Sequence, residues 1–388
     1  LLRSSWQTVN IGDIGHTPGV LRLLEEHLPG LQVILWPCNV DRGVEPMLRR
    51  GFPQVQIVKG NLDGEGRPTT PELQAAFDRA TFLLHGSGPS VVRSQDVAAW
   101  RRVTGKPYGI YGVTMAEVDE ALRELLSAAE FVFCRDTISL QLARDRGVTC
   151  PVLEFGPDGA FGFHLRDDEQ ALAFLQQQGL IEGQFLCAIP RLRYTPYHEV
   201  HGTTPRPLDL ERAEYSASYR EADHAKLREA ICRWVRETGL KVLLCPEMTY
   251  QVELGRREVL ERLPEDVRAQ VVWRDRYWLP DEAASVYARA RALVSFELHS
   301  PIMAVAAGTP AVYLRQPTDT CKGQMWRDVG LQPWIFEIEE TSGEAIGETL
   351  LGIHRDHEAT RQRLEQAMSF VRGRQRATMA VLGKILSG

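Results

Sequence analysis

Short apolar runs alternate with helical stretches twice along this chain, and few folds accept that pattern. The first series reads "LLRSSW", a helix near 18–28, "LQVILWP", "VQIVKG", a helix near 71–79, "TFLLHG", a helix near 94–104, "PYGIYGV", a helix near 116–127 and "FVFCRD". Runs this apolar suit parallel strands covered by helices on both faces. The second series reads "QFLCAIP", a helix near 221–237, "KVLLCP", a helix near 251–262, "QVVWRD", a helix near 281–290, "ALVSF", a short helix after His299, and "AVYL". The expectation is an α/β protein of two Rossmann-like domains with mostly parallel sheets facing across a cleft. Their bounds are 1–170 and 183–341, followed by a helical segment over 342–388. A length of 388 residues agrees, because single cores stop growing at roughly 250–300 residues. The Pro-rich stretch 190–208 reads as a long loop, and "RGRQR" in the last segment as a solvated face, with docking onto an anionic surface as the other reading.

Composition removes several classes of function. With 45 basic and 51 acidic residues the net charge is −6, which argues against a general nucleic-acid binder. No apolar run approaches the ~18–20 residues of a membrane span, so the expected location is cytoplasmic, with peripheral contact at a membrane still open. Seven cysteines without a CxxC pair suggest buried thiols in a reducing compartment. The chain opens on Leu1 rather than methionine, which leaves a preceding leader open.

The chemistry-bearing residues gather at predicted strand ends. "FELHSPIMAVAAGTP" puts Glu297 and His299 between a strand and a helix begun by Ser300 and Pro301, where unpaired helix N–H groups favour an anion. A structural histidine is the lesser reading of His299, because several cations would converge on the same cleft. Arg315 and Lys322 would rise from the same edge, and Arg191 and Arg193 from the end of "QFLCAIP"; guanidinium forks there suit a carboxylate or phosphate. In the first domain, "NIGDIGHTPG" reads as a glycine turn offering Asn10, Gly12, Asp13 and His16, and "GSG" (Gly86, Ser87, Gly88) as an anion nest or a close packing contact. Arg135 with Asp136 is a substrate clamp or an ion pair, and Asp158 in "GPDGAF" a hydroxyl ligand or a cap. Tyr194, Tyr197, Trp273, Tyr277 and Trp278 would stack on sugars. His198, Glu199 and His201 lack a metal-ligand spacing, and no metal site is expected.

Taken in order, "NIGD", "GSG", "CRDTISLQLARDRG", "GPDGAF" and "ELHSPIMAVAAGTPAVYL" resemble the polysaccharide pyruvyl transferase family over about residues 8–332. The resemblance implies a fold similar to GT-B glycosyltransferases. It also implies transfer of the enolpyruvyl carbons of phosphoenolpyruvate onto two sugar hydroxyls, forming a pyruvate ketal and releasing phosphate. Phosphoenolpyruvate would be a co-substrate with no tightly bound cofactor, and the partner a glycan or lipid-linked saccharide. The family's strand-end arginine falls on Arg191, its lysine on Lys322, and its Arg-x-His motif on Glu297-Leu298-His299, where the arginine is absent. On this reading His299, Asp13 and Asp158 are catalytic, with Asp13 or Asp158 taking the acceptor's proton. Arg191, Arg193, Glu297, Ser300, Arg315 and Lys322 hold the donor, and Asn10, Gly12, His16, Gly86, Ser87, Gly88 and Arg135 form the acceptor side. Glu297 leaves two alternatives: a nucleotide-sugar glycosyltransferase whose ribose it holds, and a non-catalytic glycan-binding relative.

Overall fold

The computed structural model describes residues 1–387. Seven strands, β1 (Leu2–Ser4), β2 (Ile34–Pro37), β3 (Gln56–Ile57), β4 (Leu83–His85), β5 (Tyr108–Val113), β6 (Phe131–Cys134) and β7 (Leu153–Phe155), form one sheet in the order β3-β2-β1-β4-β5-β6-β7. Six more, β8 (Phe185–Ile189), β9 (Lys241–Leu244), β10 (Val271–Trp273), β11 (Ala292–Ser295), β12 (Ala311–Arg315) and β13 (Ile335–Glu337), form a second in the order β10-β9-β8-β11-β12-β13. Each named strand pair is parallel. β8 and β11 are buried along their whole length, as their unbroken apolar sequences require. Strand order reverses between β1 and β4 in the first sheet and between β8 and β11 in the second. Ligand crevices open at the carboxyl ends of strands flanking such a reversal.

The first helix departs from the expectation. It spans Ile11–His27, so "IGDIGH" is helix rather than a glycine turn. The cause is Asn10, whose side-chain oxygen accepts the N–H groups of Gly12 at 2.6 Å and Asp13 at 3.3 Å and caps the helix seven residues before the expected start at 18. Asp13 and His16 therefore lie one turn apart on one face. The Pro-rich stretch also holds more structure than a loop: a short helix at Tyr197–His201, then a long helix from Pro207 to Thr238. Proline at the first helical position and the Arg206–Asp209 capping pair start it well before residue 221.

The last segment is helical over Gly343–Arg355 and His357–Ser387. The final helix returns to the first sheet. Arg374 pairs with Glu154 at 2.9 Å, Phe370 stacks on Phe155, and Gln375 is buried, so only part of "RGRQR" is a solvated face. Among the described residues no helix is long and apolar enough to cross a membrane. The cysteines are free; Cys134, Cys150, Cys187 and Cys245 are buried as expected, whereas Cys38 is exposed.

The first helix packs on the turn Gly159–Gly162 at backbone contact. A Cβ on Gly19 would stand 2.0 Å from the Gly159 carbonyl oxygen, while one on Gly15 would meet nothing nearer than Met303 Sδ at 3.6 Å. Gly19→Ala is therefore expected to destabilise by ~1–3 kcal/mol in urea unfolding, because backbone cannot yield as a side chain can. Gly15→Ala should be neutral or slightly stabilising by the same measurement.

Candidate active site

The two strand-order reversals face each other, and backbone joins them. Ile11 donates its N–H to the Glu247 carbonyl at 3.0 Å, and Thr249 to that of Val9 at 3.1 Å. The loop after β9 is thereby fixed to the start of the first helix. Helix and His299 come together because Gly12 has no side chain: a Cβ there would lie 2.4 Å from the His299 Cβ.

Asp158 is the centre of the contacts that result. Fully buried, it takes Arg135 Nη1 at 2.5 Å on Oδ2, and His16 Nδ1 at 2.9 Å, Ser87 Oγ at 3.0 Å and the Ala160 N–H at 2.8 Å on Oδ1. Burial works against its charge, but His16, Arg135 and His299 outweigh burial and hold the carboxyl well below its ordinary range. His299 stands between two carboxylates, with Nε2 3.7 Å from Asp158 and Nδ1 3.6 Å from Glu247. Burial alone would favour the neutral ring; Asp158 and Glu247 reverse this and raise the imidazole to about 9. His299 is an imidazolium at neutral pH. His16, edge-on with ring centroids 4.7 Å apart, is lowered mainly by burial.

On the second-sheet side, Arg191 reaches Asp319 at 2.5 Å and Glu297 at 3.2 Å, and Lys322 reaches Asp319 at 3.3 Å. Gln251 donates to Glu297 at 2.8 Å, and Tyr313 to Asp319 at 2.6 Å. Burial, offset by Arg191 and reinforced by Glu247, raises the Glu297 carboxyl to about 7.

Several expected ligands are spent on structure. Arg193 is buried in a two-point pair with Asp223 and a contact to Glu339, beneath the Tyr219 ring, and does not join Arg191. Arg315 binds Glu337 and the carbonyls of Asp319 and Thr320. The helix start at Ser300 does meet an anion, but the anion is the protein's own: Glu247 accepts the Ser300 N–H at 2.6 Å. Asn10 is a cap. Gly86 and Gly88 allow close packing on Ser4 and Trp6, and Ser87 bridges Gly112 and Asp158, so "GSG" is a packing contact rather than a nest. Asp158, having no exposed surface, cannot itself meet a sugar hydroxyl, whereas the Asp13 side chain is 12% exposed. Trp273 and Trp278 give their indole N–H groups to backbone carbonyls, Tyr194 packs edge-on against Tyr215, and Tyr197 and Tyr277 lie near Asp13.

The sequence reading missed Glu247, Gln251 and Asp319. Glu247 and Asp319 follow the ends of β9 and β12, the signal that had singled out Arg191, and lacked only a glycine or basic neighbour to mark them. Buried polar atoms around the cleft, His16 Nε2, Arg135 Nη2, Glu247 Oε1 and Arg191 Nε, have no hydrogen-bond partner among the described residues. Each such atom calls for a partner from outside the chain, whether water, ion or ligand. His16, Asp158 and His299 offer atoms within 4.8 Å of one another, a spacing a metal ion accepts. The Arg135 guanidinium, 2.5 Å from Asp158 and 3.5 Å from His299, already supplies the positive charge there.

Because its folded value lies above 6.5, His299 adds stability that is fully present below about pH 6.5 and lost as pH rises through about 9. Urea titrations should show stability falling across that window, with the fall reduced in His299→Gln. Arg135→Met, which leaves Asp158 buried without its cation, should cost on the order of 3–5 kcal/mol.

The model of the polysaccharide pyruvyl transferase family matches residues 10–316. No curated protein matches the chain. Among solved structures it is similar to Anabaena HepE in complex with UDP-glucose, at 10% identity and a TM-score of 0.58, covering 100% of this chain and 99% of that one. It is also similar to a putative UDP-N-acetylglucosamine 2-epimerase from Listeria monocytogenes, at 12% identity and a TM-score of 0.59 over 95% and 90% of the two chains. The E. coli ADP-heptose lipopolysaccharide heptosyltransferase II gives 13% identity and a TM-score of 0.51 over 92% and 99%. These likenesses establish the GT-B type of fold, and the family match covers most of the chain. The protein belongs to the polysaccharide pyruvyl transferase family and is a transferase.

Proposed function

We propose that the protein transfers the enolpyruvyl group of phosphoenolpyruvate to a glycan or lipid-linked saccharide, forming a pyruvate ketal. The observation that carries this reading is His299, set between the Asp158 and Glu247 carboxylates at 3.7 and 3.6 Å where the two strand-order reversals meet. Its proton would go to the terminal carbon of the donor as a sugar hydroxyl adds to the carbon bearing phosphate. Phosphate then leaves, and the second hydroxyl closes the ketal, its proton departing with the phosphate. Strands β8–β13 would carry the donor side and β1–β7 the acceptor side. No tightly bound cofactor is required by these steps.

Arg191 and Lys322 are the cations suited to the donor's carboxylate and phosphate. They now face Asp319 and Glu297, so an incoming anion must compete with both. Glu297 can yield: with its carboxyl raised to about 7 it is a neutral acid below that pH and can donate a hydrogen bond where a carboxylate would repel. Phosphoenolpyruvate affinity should then fall above pH 7, approaching tenfold per unit. Glu297→Gln should bind the donor at least as tightly and flatten that dependence, as read by calorimetry. An unchanged pH dependence in Glu297→Gln would remove this role.

A second reading follows from the same carboxylates. Glu297 and Asp319 offset the two cations, as suits a hydroxyl-rich ribose, and HepE is a fold relative solved with UDP-glucose. Thermal unfolding with phosphoenolpyruvate and with UDP separates the two, because a ligand of the folded state raises Tm. The donor reading expects a rise with phosphoenolpyruvate that Arg191→Ala abolishes, and ketal formation that His299→Ala lowers ~10²–10⁴-fold. A rise with UDP alone would replace it with glycosyl transfer.

A further inference from the structure

His16 is left without a task by the chemistry above, yet its environment is built with care. Its ring has no exposed surface, and Nδ1 lies 2.9 Å from Asp158 Oδ1. An ionised carboxylate only accepts, so Nδ1 carries the hydrogen and Nε2 keeps a lone pair. That Nε2 has no hydrogen-bond partner among the described residues. Asp13 Oδ1 lies 3.9 Å from it, one helical turn back, and the Asp13 side chain is 12% exposed. A buried imidazole with one nitrogen fixed by a carboxylate and the other unengaged is the arrangement of a general base held in one tautomer.

We propose that His16 is the base that takes the proton of the attacking sugar hydroxyl, with Asp158 as its positioning residue and Asp13 receiving the hydroxyl at the cleft. The proposal rests on the transfer reading above. It reassigns to His16 the proton step that sequence reasoning gave to Asp13 or Asp158. As the hydroxyl oxygen bonds to the donor carbon, its O–H bond breaks and the proton passes to the Asp13 carboxylate, which is 12% exposed, and from there to the buried Nε2 3.9 Å away. In the same step His299 gives its proton to the donor's terminal carbon, so protons balance within the site. After product leaves, His16 releases its proton to solvent and His299 regains one.

The charged groups facing His16 explain why the two events belong together. They are Asp158 and Asp13, which favour a cation, and His299 and Arg135, which oppose it. While His299 is charged, a second imidazolium 4.7 Å away is disfavoured; once His299 has given its proton away, Asp158 is left to stabilise the new one. The pair carries one positive charge throughout.

The test uses the full chain, phosphoenolpyruvate and a panel of methyl hexopyranosides, with phosphate release and ketal mass as readouts. His16→Asn retains an N–H for Asp158 and removes the lone pair. Its expected behaviour is a ~10²–10⁴-fold loss of kcat, an unchanged rise of Tm with phosphoenolpyruvate, loss of the acid limb of the pH profile, and partial recovery with added imidazole. Wild-type turnover in His16→Asn overturns the proposal. If the variant does not fold, nitrogen-15 NMR of the wild-type histidines decides: an unprotonated Nε2 on His16 at pH 7 is required, and a protonated one overturns the assignment. A wild-type protein that is not stabilised by phosphoenolpyruvate and forms no ketal fails the donor reading, and the tautomer measurement then decides His16 by itself.

Discussion

Everything at the cleft depends on one buried carboxylate. Asp158 lies in a turn that packs against the first helix at glycine backbone, and its two oxygens hold an arginine, a histidine, a serine and its own turn N–H. A charge so far from water is tolerable only when each lone pair is met. The partners come from the ends of β4 and β6 and from the first helix, so one side chain fixes the register of three separate connections. His299, from the other sheet, meets this charge at 3.7 Å and owes much of its proton to it.

The second cluster, Arg191 with Asp319, Glu297 and Lys322, follows another logic. Here two cations face two carboxylates at a partly open surface, and the positive charges are balanced rather than surplus. Where the resemblance would place an arginine, the chain has Glu297, whose carboxyl is raised by burial to about 7. A carboxyl in that place alters the charge beside Arg191 without removing hydrogen-bonding capacity.

Much of the fold was legible because parallel strands must be apolar on both faces, and runs such as "FLCAI" and "ALVS" admit little else. Less legible were the beginnings of helices, where a single cap decides. Asn10 moved the first helix seven residues back and turned a supposed loop into the face that carries Asp13 and His16. Arg191, Lys322 and His299 were singled out by their positions at or beyond strand ends, and Asp158 by its place in a loop between the two domains. Position could not tell Arg191, which borders the cleft, from Arg193, two residues on, which turns inward to Asp223. That distinction depends on a partner 30 residues away along the long helix, which no local pattern encodes.

The backbone bonds joining Val9 and Ile11 to Glu247 and Thr249 have a consequence beyond shape. They hold His299 and Glu247, from one half of the chain, against Asp158, Arg135 and His16 from the other. A hinge motion that parted the halves would break those bonds and withdraw Asp158 from the imidazole, leaving Glu247 as the carboxylate that travels with the ring. The two carboxylates that favour the charged ring therefore act together only while the halves are joined, and the joint between them sets how firmly the imidazole is held.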